Sequence, residues 1–280
     1  MNIKILSDST CDLSADILKE HNISLVPLTV IKGNQEYKDG LTITPADIFA
    51  HVAAGGDLCS TSANSVGEYM DEFAKYANDY DGILHINIGS GFSSCYQNAC
   101  LAAQDFDNVK VVDSQNLSTG QGLVVLEACR LAKECTSLEE LREKVQAYTA
   151  KIEASFLVDK LNYLAKGGRC SAVAALGANL LNLKPCIEVK DNKMGVTKKY
   201  RGKYDKCLAT YIKERLDGRD DLDGGILFIT HTPVSEAEMA AVKEAVAQYG
   251  NFRVVYDTDA GSTVSCHCGP GTLGVLFARK

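Results

Sequence analysis

No apolar stretch in this chain of 280 residues approaches the roughly 20 residues needed to span a bilayer, so no transmembrane helix is expected. Met1-Asn2-Ile3-Lys4 runs straight into a strand-like segment and Asp8, without the basic, apolar and small-residue succession of a secretory signal, which points to a cytoplasmic protein. Basic residues are not in excess. With 29 Lys and Arg against 36 Asp and Glu, the net charge of -7 argues against a general affinity for nucleic acid. Cys-x-x-Cys does not occur among the 11 cysteines, and the close pair Cys266 and Cys268 flanks His267 without a second ligand cluster. Neither zinc nor a disulfide framework is expected; the thiols read as small buried apolar residues. Internal repeats and low-complexity segments are also lacking.

The common catalytic signatures are missing as well. Gly120-Gln121-Gly122 and Gly89-Ser90-Gly91 lack the third glycine of a dinucleotide fingerprint, and there is neither a Walker A sequence nor a Gly-x-Ser-x-Gly elbow. Between His85 and Asp105 there is no His, Lys, Asp or Glu to serve as a local base for Ser93.

What is present is an alternation of strand-like and helical patterns. Ile3 to Leu6, Ser24 to Val30, Ile83 to Ile88 and Val109 to Val112 read as strands of a parallel sheet with helical crossovers. Thr44-Pro45, Ser65 with Glu68 and Ser137 with Glu140 mark helix starts. After Ala154 to Val158 come an apolar helix candidate from Ala172 to Leu183 and a hairpin signal, Pro185 to Val189 and Met194 to Thr197 about Asp191-Asn192-Lys193. Ile226 to Thr230, a capped helix from Ser235, Arg253 to Tyr256 and Gly274 to Phe277 complete the alternation. The expected architecture is two α/β domains, 1–152 with a mainly parallel sheet and 153–280 with a mixed sheet, and a ligand in the cleft between them.

Polar loops sit where such a cleft would be. Ile83 to Ile88 empties into Gly89-Ser90-Gly91-Phe92-Ser93-Ser94 and a helix beginning at Cys95, a socket in which hydroxyls and unpaired N–H groups face an anionic head group. Ser60 to Ser65 precedes another helix; Ser65 is suited to capping, which leaves Thr61 and Ser62 free. Asp8 to Asp12 is equally a strand-to-helix turn with self-bonding side chains. Lys166-Gly167-Gly168-Arg169 reads as a surface turn or as a charge clamp, and His267 to Gly271 as a rigid turn before the last strand. The basic run from Lys198 to Lys203 reads as a solvated loop.

Taken together, Asp8-Ser9-Thr10, Val26-Pro27-Leu28, Tyr37 to Gly40, Thr61-Ser62, Phe92-Ser93 with Tyr96-Gln97, Val112-Asp113-Ser114, Tyr163 to Arg169 and His267 to Gly271 closely resemble the DegV family of bacterial fatty-acid-binding proteins from end to end. The resemblance implies a non-catalytic lipid carrier that encloses one long-chain fatty acid of the palmitate, oleate or stearate class, with its tail in an apolar tunnel of the C-terminal domain and its carboxylate at the domain interface. Members of this family can present the lipid to a separate fatty acid kinase; for this chain, transient membrane contact is compatible with the lack of an integral membrane segment. By motif position the carboxylate contacts fall on Thr61 and Ser93, with Ser62 additional, while Arg169 and His267 match positions near the head group and the kinase-facing surface. No cofactor or metal is implied. Two departures stand out: Ala63-Asn64 where the family often has Gln-Pro, and Ser94-Cys95 where it often has Gly-Thr. From the residues alone, two other readings stay open, a serine acyl hydrolase using Ser93 with His267 and a phosphate-binding nest.

Overall fold

The computed structural model describes residues 1–171 and 183–280. Along these the strands are β1 (Ile3–Asp8), β2 (Ser24–Val26), β3 (Thr29–Lys32), β4 (Gln35–Lys38), β5 (Ser60–Ser62), β6 (Gly82–Asn87), β7 (Val109–Asp113), β8 (Ile152–Val158), β9 (Leu183–Lys190), β10 (Lys193–Arg201), β11 (Leu222–His231), β12 (Val254–Asp259) and β13 (Thr272–Arg279). They form a parallel sheet of order β2-β1-β6-β7, a mixed sheet of order β10-β9-β8-β13-β11-β12 and a small antiparallel sheet of order β4-β3-β5. In the mixed sheet β11 and β12 are parallel and the other neighbours antiparallel. The α/β class and the parallel and mixed sheets match the sequence reading.

Local signals explain several element boundaries. Thr44 with Asp47, Ser65 with Glu68 and Ser235 with Glu238 each form a reciprocal capping box, and Ser137 caps the Leu138–Tyr148 helix. The β9–β10 hairpin turns on Asp191 and Asn192, both at positive φ, the geometry that matches strand twist. β10 is an edge strand whose exposed Lys198 and Lys199 discourage pairing with another chain, which is where most of the basic run lies.

One expected strand is corrected. Ser24 to Val30 is two strands: β2 joins the parallel sheet, and β3 leaves it for the antiparallel one. Pro27 lies at the break with no N–H to donate, and the following Leu28 N–H donates to Ser9 Oγ (3.2 Å) instead of to a ladder. The expected helix from Ala172 lies outside the described residues, except that Leu183 opens β9. The described helices include none long and apolar enough to cross a membrane.

The two larger sheets share one buried helix, Ser118–Leu131, which packs on β1 and β6 on one side and on β8, β11 and β13 on the other. Twelve of its 14 residues are buried, as expected of a helix enclosed on all sides. Gly122 permits the contact with the first loop, since a Cβ there would stand 2.8 Å from the Cys11 carbonyl oxygen. Gln121 accepts from Thr10 Oγ1 (2.8 Å) and donates to Ser7 Oγ (2.9 Å), so polar bonds as well as apolar packing seat this helix.

Asp8, at the end of β1, is fully buried and satisfied: it accepts from Tyr69 Oη (2.7 Å), His85 Nε2 (3.2 Å), Asn87 Nδ2 (3.0 Å) and Ile88 N (2.9 Å). Replacing it strands several buried donors at once. Asp8→Ala is expected to lower unfolding free energy by about 3 kcal/mol, read from urea denaturation.

Candidate functional site

Thr61, Ser62, Ser93, Arg169 and His267 all line one cavity of about 500 Å³. Its apolar wall includes Leu28, Ile88, Phe92, Leu117, Met194 and Val264. The volume lies within the usual range for small-molecule sites, roughly 300–1,000 Å³.

Each polar residue reaches the cavity by a different route. β5 pairs with β3, with Thr61 opposite Val30, and Thr61 Oγ1 lies 2.8 Å from His267 Nε2. His267 occupies the last turn of the Ser262–Cys268 helix, 206 residues away along the chain. Burial, aided by the positive charge of Arg169, lowers its pKa to about 4, so at neutral pH the imidazole is uncharged. Among the described residues its Nδ1 has no hydrogen-bond partner, and it faces Gly167, where a Cβ would stand 2.7 Å away. Arg169 follows Gly168, whose φ of 70° ends the Asn162–Gly167 helix, and its Nη1 donates to the Gly167 carbonyl (2.9 Å). Of the two basic residues flanking Gly167-Gly168, Arg169 lines the cavity and Lys166 does not.

Ser93 sits just before the Cys95–Ala102 helix. Its Oγ accepts from Cys95 N–H (3.3 Å) and donates to Cys95 Sγ (3.1 Å), while His267 is engaged by Thr61. Ser62 Oγ donates to the Ala63 carbonyl (3.3 Å), and Ser65 is occupied in its capping box as expected. Among the described residues, the polar lining of the socket thus consists of alcohols, the Asn98 amide, one neutral imidazole and one exposed guanidinium.

Behind His267, the first turn of its helix is held by two buried carboxylates. Asp12 accepts from Gly261 N (2.9 Å) and Ser118 Oγ (2.6 Å), and Asp39 accepts from Ser262 N (2.8 Å) and Ser9 Oγ (2.9 Å). Asp8 to Asp12 is thus an interior hub and not a self-bonded turn. Burial, with the nearby Asp39 charge adding to it against the bonds from Ser118 and Gly261, pushes the Asp12 carboxyl up to about 8.

A second, smaller compartment of about 30 Å³ shares Leu117, Val264 and Cys268 with the first and extends to Ala154, Phe156, Val189 and Leu276 of the mixed sheet. In the sequence Ala154, Phe156, Val189, Met194 and Leu276 read as strand residues and not as cavity lining. Each is ordinary by itself, and only the packing of distant segments brings them to one wall.

Comparison with known proteins agrees across the whole chain. The model of the DegV family, described as uncharacterised proteins, matches residues 2–280. A DegV domain-containing protein of Caldanaerobacter subterraneus is 30% identical over 284 residues, covering 99% of each chain. A solved DegV family protein from Thermus thermophilus, described for its fatty acid binding, superposes with a TM-score of 0.89 at 29% identity and covers 100% of both chains. A stearic acid-binding protein from Eubacterium ventriosum superposes with a TM-score of 0.83 at 28% identity, covering 99% of this chain and 98% of its own.

The two perturbed groups give stability opposite dependences on pH. The His267 pKa is depressed in the folded protein, so its contribution is complete above 6.5 and is lost as pH falls toward about 4. The Asp12 pKa is raised, so its contribution is complete below 3.8 and is lost as pH rises toward about 8. Urea unfolding across this range is expected to show His267→Gln losing less stability than the parent on acidification. Asp12→Asn is expected to lose less on alkalinisation.

Proposed function

Because this chain belongs to the DegV family, we propose that it binds one long-chain fatty acid, its carboxylate at Thr61 and Ser93 with Ser62 alongside, its tail among the apolar walls and into the inner compartment. The observation that carries the reading is a cavity lined by both hydroxyls and apolar side chains that shares Leu117, Val264 and Cys268 with a second compartment among apolar side chains of the mixed sheet. Division at residue 152 gives head-group hydroxyls to one domain and the inner compartment mainly to the other. The protein acts as a cytoplasmic carrier without turnover of its own.

Energetics favour a lipid over a small anion. At about 0.8 kcal/mol per methylene, a tail of about 15 carbons has a gross burial term near 12 kcal/mol, the main favourable contribution set against the ordering costs of binding. Hydroxyl bonds to a charged carboxylate add about 1.5–3 kcal/mol each and set the depth of the head group. Uncharged donors also leave the carboxylate without a tight ion pair, open to phosphorylation by a separate fatty acid kinase docking on the side where Arg169 is exposed.

The hydrolase reading has less support. Ser93 hydrogen-bonds within its own turn, and the imidazole that would serve as its base is bonded to Thr61. A fluorophosphonate probe is expected to leave Ser93 unlabelled; stoichiometric labelling would restore that reading.

Denaturing extraction and mass spectrometry of the purified protein should yield about one fatty acid per chain, and a protein that stays empty after incubation with palmitate and oleate refutes the proposal. Thr61→Val with Ser93→Ala is expected to weaken retention by about 10- to 100-fold with unchanged circular dichroism. Arg169→Ala should impair phosphorylation by an added fatty acid kinase more than it impairs lipid binding.

A further inference from the structure

The loop that carries Ser93 is held from outside its own sheet. Asn192, at the tip of the β9–β10 hairpin, donates from Nδ2 to Ser90 Oγ (3.0 Å) and to Asp113 Oδ2 (2.9 Å). Asp113, at the end of β7, also accepts from Ser90 N (3.0 Å), Ser90 Oγ (2.6 Å) and Gln115 N (3.0 Å). A carboxylate can only accept, so the amide nitrogen of Asn192 must be the group that faces it. The hairpin backbone is just as close. A Cβ at Gly91 would stand 1.9 Å from the Asn192 carbonyl oxygen, and one at Gly89 would stand 2.4 Å from Asn192 Oδ1. The two glycines of Gly89-Ser90-Gly91 are thus explained by the approach of this hairpin and not by a nucleotide.

The same hairpin supplies cavity wall. Met194 on β10 lines the larger compartment and Val189 on β9 the smaller one. Phe92, Ser93 and Ser94, directly after the clamped glycines, line the larger compartment too. A turn by itself needs only a residue tolerant of positive φ, and Asn192 has a φ of 60°. The two bonds made by its amide are additional to that need.

We propose that Asn192 is a positioning residue of the head-group socket, locking the loop from Gly89 to Ser94 so that the Ser93 hydroxyl is held ready for the ligand. The proposal rests on the fatty-acid reading for its consequence, though not for its geometry. Faster loss of bound lipid is the consequence when the lock is removed, because a loop free to move no longer holds its donor in place.

The test follows dissociation of radiolabelled palmitate into excess albumin, together with hydrogen exchange of the ligand-free protein. Asn192→Gly keeps the turn conformation and deletes the amide. It is expected to release palmitate about tenfold faster, the loss of two bonds. Amides from Ser90 to Cys95 should exchange at least about tenfold faster, while those of β6 are unchanged. Since Asn192 acts through Ser93, its effect on release should shrink in the Ser93→Ala background. Asn192→Asp, which sets a second acceptor-only carboxylate against Asp113, should release at least as fast as Asn192→Gly. Unchanged exchange at Ser90 to Cys95 in Asn192→Gly overturns the proposal, as does an effect on release that is the same with and without the Ser93 hydroxyl. Should the parent protein bind no fatty acid, the carrier reading fails while the exchange measurement still decides the role of Asn192.

Discussion

Two buried carboxylates in one short loop fix both sides of the cavity. Asp8 accepts from the Ile88 amide, at the point where β6 gives way to the loop carrying Ser93. Four residues on, Asp12 accepts from the Gly261 amide at the start of the helix whose far end carries His267, and Asp39 takes the next amide. A buried carboxyl group left without hydrogen-bond partners is costly, so these bonds hold the backbone groups they accept from. Gly261 answers the same constraint, since a Cβ there would stand 2.7 Å from Asp12 Oδ1. Segments far apart in the chain are therefore referenced to a common loop, and the Thr61 to His267 contact follows from that placement.

The socket so formed is polar without being strongly charged. A buried ion pair would lose much of its attraction to desolvation of both partners, whereas neutral donors cost less to keep dry when the site is empty. His267 fits this pattern because its burial holds the ring uncharged. Arg169 is exposed and hydrogen-bonded to the Gly167 carbonyl, so its charge acts from the cavity margin. Under the proposed function, affinity comes mainly from the tail and orientation from the hydroxyls. That division suits a carrier whose cargo must be held and yet remain reactive at one end.

The parts of this fold legible in the sequence are those set by a few adjacent residues. Ser65 with Glu68 and Ser235 mark helix starts because capping chemistry is local, and Asp191-Asn192 marks a hairpin because positive φ is local too. The split of Ser24 to Val30 was missed because strand propensity is continuous across it, while the break depends on Ser9 meeting Leu28. The site divides in the same way. Of the residues that line the cavity, Thr61, Ser62, Ser93, Arg169 and His267 lie in short motifs, whereas Leu117, Met194 and Val264 carry no signal apart from apolarity. Asp8 and Asp12 looked like turn residues because their actual partners, at Ile88 and Gly261, are far along the chain.

Cys95 shows how a departure from the family pattern can leave a socket usable. The Ser93 hydroxyl donates to Cys95 Sγ, and sulfur is a weak acceptor. Turning that proton toward a ligand oxygen therefore gives up little, while the Cys95 amide still donates to the serine oxygen and holds it in position. Burial, chiefly, pushes the Cys95 thiol up to about 11, so it stays neutral near pH 7 and sets no negative charge against an arriving carboxylate. Ser94, exposed beside it, makes no capping bond with its side chain, and its hydroxyl is a further donor at the cavity margin. A stronger acceptor in place of Sγ would compete with the ligand for the Ser93 proton. With sulfur there, that competition is slight, so under the proposed function the Ser93 hydroxyl can turn to a carboxylate oxygen entering the cavity.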